Sequence, residues 1–274
     1  MSRVAVVKGE RGHGPVYRAL DLVDYREALR GWGRVLIKVN FITTKTWDTG
    51  ATTDPIVVEA IIQKMKELPI EVYVIESDAT MTDADRAFRA TGMEEMCERN
   101  GVGWINLRHA GDRVELNVPN GEALSSIKVP RIVTKSAIIN AAKLKTHSET
   151  QVTLGMKNMF GLLPDKFKGR YHFRGMHRVI ADINTVLRPA LTVIDGFVAM
   201  EGRGPVHGRP VRMDTIIAGR DVVATDAMAC RVMGFDPHLV DHIRMGYERG
   251  LGEIDSVEVV GDGIEAVKRV FERT

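Results

Sequence analysis

Lysine and histidine side chains alternate along the stretch Lys143-Leu144-Lys145-Thr146-His147. In an extended chain, a period of two places both lysines and the histidine on one side. Two ammonium groups can bind a phosphate or carboxylate, and a histidine beside them can donate or accept a proton. We therefore predict that Lys143 and Lys145 bind a small anionic ligand, with Lys145 and His147 as candidate catalytic residues.

The residues after His147 predict how this basic stretch is positioned. Ser148 to Gln151 match a capping box, in which Ser and Gln side chains satisfy the first backbone N–H groups of a helix. We expect a buried strand over 137–140, a short basic turn and a helix that begins directly after His147. The positive end of this helix would face the same crevice as the lysines. Ligands of open α/β sheets bind at such strand ends.

Positive charge is concentrated around this predicted strand-turn-helix. The formal net charge of the chain is only +2, yet residues 135–178 contain nine Lys or Arg and two acidic residues. Such a local field favours a small anion. The alternative is a solvated basic turn without a ligand. The lysine and amide side chains expected to contact the ligand are Lys38, Asn40, Asn140, Lys143, Lys145, Lys157 and Asn158.

Carboxylates near a glycine-rich stretch could form the other side of the site. Asp195 ends the apolar run LTVID, and Glu201 lies in the segment GFVAMEGRGPVHGRP that follows. Carboxylates at strand ends are typical ligands of Mg²⁺ or another divalent metal that bridges to phosphate. We predict Asp195, Glu201 and Asp226 as metal ligands, although Asp195 and Glu201 could instead cap backbone N–H groups or pair with nearby arginines.

The elements that must position these residues alternate between apolar strands and helices along most of the chain. This alternation predicts an α/β layered fold with a mostly parallel, in part mixed central sheet flanked by helices. We expect a single domain over residues 1–274, with a small subdomain around 104–133 where a polar hairpin-like pair occurs. The segment 264–272 is predicted to be a closing helix.

The composition and the absence of several known motifs exclude some classes of protein. Cys97 and Cys230, the only two cysteines, are too far apart in sequence for a CxxC motif. The sequence contains no phosphate-binding P-loop motif and no GxGxxG dinucleotide motif. The N-terminus matches neither a signal peptide nor a transit sequence, and no apolar run reaches the length of a membrane span. We expect a cytoplasmic protein that does not insert into a membrane.

Five motifs resemble the DUF362 family of uncharacterised proteins: KVNF with T.DP over 38–55, NAAKLKTH over 140–147, TLGMKNMFGLLP over 153–164, DGFVAMEGRGP over 195–205 and RDVVATDAMA over 220–229. The resemblance implies no established activity. Some family members carry ferredoxin-like 4Fe–4S modules. The positions that belong to the family's motifs are Lys38, Asn40, Asn140, Lys143, Lys145, His147, Lys157, Asn158, Asp195, Glu201 and Asp226.

Two alternatives to an anion-binding protein stay open. The resemblance implies a redox accessory protein that binds a cofactor or docks a ferredoxin-like iron–sulfur partner. Two isolated cysteines cannot ligate a 4Fe–4S cluster, so any such cluster would belong to the partner. The third reading is nucleic-acid binding through residues 135–178, which the near-neutral net charge and the scarcity of interleaved aromatic residues disfavour.

Overall fold

The computed structural model describes residues 1–273 and contains one nine-stranded sheet and one two-stranded sheet. The strands are β1 (Ser2–Lys8), β2 (Arg34–Lys38), β3 (Glu71–Glu76), β4 (Gly103–Asn106), β5 (Arg113–Asn117), β6 (Ser126–Pro130), β7 (Ala137–His147), β8 (Gln151–Val152), β9 (Leu191–Glu201), β10 (Arg209–Gly219) and β11 (Val257–Gly261).

Helices connect most of these strands. They are α1 (His13–Leu22), α2 (Tyr25–Ala28), α3 (Pro55–Met65), α4 (Ala84–Ala90), α5 (Met93–Asn100), α6 (Arg131–Thr134), α7 (Leu154–Asn158), α8 (Gly169–His172), α9 (Met176–Val186), α10 (Val222–Val232) and α11 (Asp241–Glu248). Short 3₁₀ turns occur at Trp47–Thr49, Leu107–His109, Met159–Leu162 and Pro237–Leu239.

The large sheet is mostly parallel and partly antiparallel, which confirms the predicted fold class. Its strand order is β11-β1-β10-β9-β7-β2-β3-β4, and the short β8 pairs with β7. The five strands β9, β7, β2, β3 and β4 run parallel to one another, whereas β10 is antiparallel to both β9 and β1. The carboxyl ends of β2, β3, β7 and β9 therefore meet at one edge of the sheet.

Two hydrophobic clusters cover the two faces of the sheet. Successive side chains of a strand point to opposite faces, and along β7 Ile139 and Ala141 belong to one cluster while Ile138 and Ala142 belong to the other. All eleven residues of β7 are buried. This central strand therefore fixes the polar side chains at its carboxyl end between two packed layers.

The predicted helix directly after His147 is wrong, because β7 continues as strand to His147. The chain then turns and returns as β8, in which Val152 pairs with Thr146. The backbone N–H groups of Glu149 and Thr150 donate to His147 Nδ1 at 3.1 and 3.3 Å. The imidazole thus binds the first N–H groups of this segment in a turn, and the helix α7 begins only at Leu154.

Two other expectations fail for related reasons. The glycine-rich segment after Asp195 is not a loop from its start, because β9 extends to Glu201 and pairs with β10. The expected helix over 264–272 is also absent. The backbone N–H groups of Arg269 and Phe271 instead donate to the carbonyl oxygens of Val232 and Met233, which are the end of α10 and its C-cap.

The polar region around 104–133 divides between the two sheets. β4 joins the edge of the large sheet beside β3, whereas β5 and β6 form the separate antiparallel pair. Buried residues of this pair, such as Ile127 and Val129, belong to the same hydrophobic cluster as the helices α9 and α10. The subdomain stays a prediction.

Candidate functional site

A pocket of about 520 Å³ opens at the edge where β2, β3 and β7 end. Parallel sheets place ligand sites at this edge because several strand ends and the following loops converge there. The lining residues are Lys38, Asn40, Phe41, Ile42, Thr43, Glu76, Ser77, Ala79, Thr80, Met81, Thr82, Lys145, His147, Thr153, Lys157, Asn158, Phe160, Gly161, Lys168, His172, Pro205, Val206 and His207.

Among residues 1–273, Glu76 is the only carboxylate that lines the pocket, and it is already neutralised. Lys38 Nζ lies 2.8 Å from a carboxylate oxygen of Glu76, and both side chains are buried. Glu76 also accepts the backbone N–H groups of Phe41 and Ser77. Burial lowers the pKa of Lys38, and the neighbouring Glu76 carboxylate opposes that shift. A Cβ at Gly161 would clash with this ion pair, which explains a glycine at that position.

Three buried asparagines connect the strand ends to α7. Asn158 Oδ1 accepts from Asn40 Nδ2 at 2.9 Å and from Lys38 Nζ at 3.3 Å. Asn158 Nδ2 donates to Asn140 Oδ1 at 2.7 Å, and Asn140 Nδ2 donates to the carbonyl of Gly155. Because every one of these amides is satisfied by another part of the network, their orientation is fixed. The network therefore holds Lys38 and Lys145, which donate hydrogen bonds to it, in fixed positions.

Lys145 is a fully buried ammonium that has only neutral hydrogen-bond acceptors. Its Nζ donates to Asn40 Oδ1 at 2.8 Å and to the carbonyls of Ala51 and Pro205 at 2.5 and 3.4 Å. Burial, followed by the nearby charges of Lys143 and Lys157, lowers the pKa of Lys145 well below its usual value. No carboxylate of residues 1–273 forms an ion pair with it.

His147 is held as a neutral ring. Its Nδ1 accepts the two backbone N–H groups of Glu149 and Thr150, so the ring hydrogen lies on Nε2. Burial and then the charges of Lys157 and Lys145 lower the pKa of His147 to about 2. A ring with such a pKa stays neutral at physiological pH. The predicted catalytic roles of His147 and Lys145 stay predictions, and a neutral His147 does not act as an imidazolium acid.

Two further lysines flank one aromatic ring in the pocket. Lys157 Nζ and Lys168 Nζ each lie 5.5 Å from the ring centroid of Phe160. Lys168 Nζ also donates to Ser77 Oγ at 2.7 Å. Burial lowers the pKa of both lysines to about 8, against a smaller opposing effect of acidic neighbours. Within the described chain, neither lysine forms an ion pair with a carboxylate.

The opposite wall of the pocket comes from the loop between β9 and β10. Pro205, Val206 and His207 line the pocket there, and Lys45 Nζ donates to the carbonyl of Val206 at 2.8 Å. The predicted wall is the acidic, glycine-rich segment 195–208. Its residues 205–207 line the pocket, whereas Asp195 and Glu201 do not, because both belong to β9.

Lys143 is separated from the pocket by a complete ion pair. Its Nζ lies 2.7 Å from Asp195 Oδ2, and both side chains have zero exposure. Asp195 also accepts the backbone N–H groups of Asp54 and Phe197 at 2.8 and 3.1 Å. Asp54 in turn pairs with Arg11. Lys143, predicted to bind the ligand, and Asp195, predicted to bind a metal, therefore neutralise each other.

The other two predicted metal ligands also bind protein groups. Glu201 contacts Arg209 and Arg269 and accepts the backbone N–H of Glu272. Asp226 accepts the N–H groups of Gly155 and Met156 at 2.7 Å each, and burial raises its pKa to about 8. Among residues 1–273, no group of three or more His, Cys, Asp or Glu side chains could hold a metal ion. The divalent metal stays a prediction, and these carboxylates are not brought together for it.

Two pocket residues, Lys168 and Glu76, are not among the predicted ligand-binding residues. Glu76 ends an apolar strand just as Lys38 does, and this position is a signal from which it could have been found. Lys168 lies in an irregular segment, and no spacing rule predicts that such a segment folds over a pocket.

The fold and the pocket define a class: a mixed α/β protein with a lysine-rich pocket at the carboxyl edge of its sheet. Residues 35–231 match the family model described as "Domain of unknown function (DUF362)". The chain belongs to this family, as the sequence motifs predicted.

One curated relative is the thylakoid-associated protein sll1697 of Synechocystis sp.. The two sequences are 27% identical over 210 residues, which cover 74% of this chain and 64% of the relative. The match thus spans less than two thirds of the relative's length. Among residues 1–273, no helix has both the length and the apolar character needed to cross a membrane.

Proposed function

We propose that the protein binds a small phosphate- or carboxylate-bearing ligand in the pocket at the ends of β2, β3 and β7. One observation carries the proposal: Lys145, Lys157 and Lys168 line the pocket without an ion-pair partner in residues 1–273, and Glu76, the only carboxylate in the lining, is paired with Lys38. Buried positive charge without a counter-charge is costly. An anionic ligand would supply the missing negative charge.

The pocket also favours a ligand with a nonpolar part. Phe41, Ile42, Phe160 and Val206 line it together with the lysines. Pockets of a few hundred Å³ usually combine an apolar lining with a few polar groups that orient the ligand. The proposed ligand is therefore a small organic anion, and its anionic group would lie near the lysines.

Calorimetric titration with inorganic phosphate, pyrophosphate and simple carboxylates tests the proposal. We expect Lys157→Met to weaken the binding of the best of these anions by about tenfold or more, since a hydrogen bond to a charged group contributes roughly 1.5–3 kcal/mol. Lys128→Met is the matched control, because Lys128 is exposed on β6, outside the pocket lining.

Two results would contradict the proposal. One is no heat of binding for any of these anions at millimolar concentration. The other is an equal loss of affinity in Lys157→Met and Lys128→Met, which would indicate nonspecific attraction to positive charge. A redox accessory role, nucleic-acid binding and a cytoplasmic location stay predictions, as does a ferredoxin-like partner.

A further inference from the structure

Lys157 differs from the other lysines of the pocket in its hydrogen bonds. Lys38, Lys145 and Lys168 each donate to at least one oxygen within 2.9 Å. For Lys157, the described part of the chain provides neither a hydrogen-bond acceptor nor an ion-pair partner. Its nitrogen lies against the ring of Phe160 instead. An amine held this way keeps its lone pair available once it loses its proton.

The lowered pKa of Lys157 makes the neutral, nucleophilic form of its amine more abundant than in an ordinary lysine. An ordinary lysine has a pKa near 10.4, so well under about 1% is neutral at pH 8. Burial lowers the pKa of Lys157 to about 8, so about half would be neutral at that pH. Desolvated lysines of this kind are the ones that react with carbonyl compounds. Lys157 is half-buried and lines the pocket, so a bound ligand can reach it.

Neighbouring groups would hold a ligand that carries both an anion and a carbonyl. Lys168 Nζ lies on the same aromatic ring as Lys157 Nζ, so the two nitrogens are separated by at most twice 5.5 Å. This span fits a molecule whose anionic group contacts Lys168 while its carbonyl carbon approaches Lys157. The apolar ring beside both nitrogens would limit water at the carbon that reacts.

We propose that Lys157 forms a Schiff base with an anionic aldehyde or ketone bound in the pocket, such as a phosphorylated aldehyde or a 2-oxo acid. This inference rests on the proposed anion site. The Nζ lone pair attacks the carbonyl carbon, a C–N bond forms, and a proton moves from nitrogen to oxygen. The carbinolamine then loses one water molecule to give the imine. No electron is gained or lost overall.

Borohydride trapping tests this inference. The folded protein is incubated with pyridoxal 5′-phosphate or with glyoxylate and reduced with sodium borohydride, and the modified lysine is located by peptide mass mapping. We expect Lys157 to be labelled first, with a rate that is half-maximal near pH 8. In Lys157→Arg, which keeps the positive charge but has no primary amine, this adduct should be lost while circular dichroism shows a folded protein.

The outcomes separate this inference from the proposed function. If inorganic phosphate binds to the wild-type protein and neither probe labels Lys157 faster than exposed Lys128, the inference fails and the anion site stands. Preferential labelling of Lys168 would overturn the assignment to Lys157. If excess phosphate does not slow the labelling of Lys157, the proposed anion site fails, and the inference fails with it.

Discussion

Lys143 and Lys145 lie two positions apart on β7, and both side chains are fully buried. Lys143 pairs with Asp195, whereas Lys145 contacts only neutral oxygens. The pairing of β7 with β9 explains the difference, because its register shifts between them: Lys143 lies beside Asp195, and Lys145 lies beside Met200. The first lysine therefore has its counter-charge within the fold, whereas the second has none among residues 1–273.

This comparison shows that spacing in a strand does not by itself assign a role to a charged residue. Alternation predicts that two side chains share a face, and it applies equally to both lysines. The counter-charge comes from a strand more than 40 residues later in the chain, as the register of β9 shows. Only the tertiary structure separates a completed ion pair from a charge that lacks one.

The largest effect is expected for Asp195→Asn. This change leaves the Lys143 ammonium buried without its counter-charge, which should cost about 3–5 kcal/mol of unfolding free energy. Denaturant unfolding followed by circular dichroism measures it. The double variant with Lys143→Met removes the orphaned charge and should recover part of the loss. A loss below about 1 kcal/mol in the single variant would refute a structural role for the pair.

Lys145→Met should lower stability less than Asp195→Asn does, and it should weaken phosphate binding. Its oxygen partners are neutral, so the loss of unfolding free energy is expected to be about 1–3 kcal/mol, less than for Asp195→Asn. Phosphate affinity should fall by about tenfold or more, for the reason given for Lys157→Met. Denaturant unfolding and calorimetric titration measure the two quantities. Unchanged affinity in a folded variant would remove Lys145 from the site.

Glu201→Gln probes a carboxylate away from the pocket. The variant loses charge attraction to Arg209 and Arg269, whose side chains are 65% and 48% exposed. Exposed partners make such pairs weak, so we expect a cost of about 1 kcal/mol and unchanged phosphate affinity. The same unfolding and titration experiments measure both. Weaker phosphate binding that returns with added Mg²⁺ would instead support the predicted metal role of Glu201.

A pH dependence of stability is expected from Lys157. Its pKa is lowered to about 8 in the folded protein, so between pH 8 and about 10.4 the unfolded chain binds more protons than the folded one. Stability contributed by this group therefore rises with pH in that window. The difference in unfolding free energy between wild type and Lys157→Met should change in this direction. A flat difference would mean that Lys157 has an ordinary pKa.

Loss of the Lys157 charge as pH rises should also affect anion affinity. It should weaken binding, whereas it increases stability. The charge of Lys157 would attract an anionic ligand below pH 8 and is lost above it. As pH rises from 7 to 9, phosphate affinity should therefore fall in the wild type relative to Lys157→Met, as measured by calorimetry. Phosphate itself gains negative charge in the lower part of this range, and the comparison with Lys157→Met cancels that contribution.

Much of the fold was predictable from local patterns. Short apolar runs bounded by polar residues, such as RVLIK and EVYVIE, became buried parallel strands. Lys38, Asn40 and Lys145 lie at or near strand ends, so the carboxyl-edge rule accounts for their position along one pocket, whereas Asn158 reaches it from the end of α7. The strand predictions succeeded because strand periodicity and parallel pairing are properties of the sequence and of sheets in general.

The wrong helix predictions share a physical cause. Groups that are distant in sequence compete for the backbone hydrogen bonds that a local helix would use. The capping box after His147 is a sound local signal, but pairing of β8 with β7 and the imidazole acceptor outweigh it. The last segment, 264–272, has a helical pattern, yet its N–H groups bond to the end of α10 and its C-cap and to Glu201. Neither competitor is visible from the residues of the segment itself.

The position of β1 in the sheet has a consequence for biosynthesis. β1 is synthesised well before its hydrogen-bonded neighbours β10 and β11, which begin at Arg209 and Val257. While a ribosome synthesises the intervening chain, residues 2–8 have neither neighbour with which to pair. The strands β2, β3, β4 and β7 can meanwhile assemble, since they neighbour one another. Residues 2–8 therefore acquire their native strand pairing later than β2, β3, β4 and β7 can.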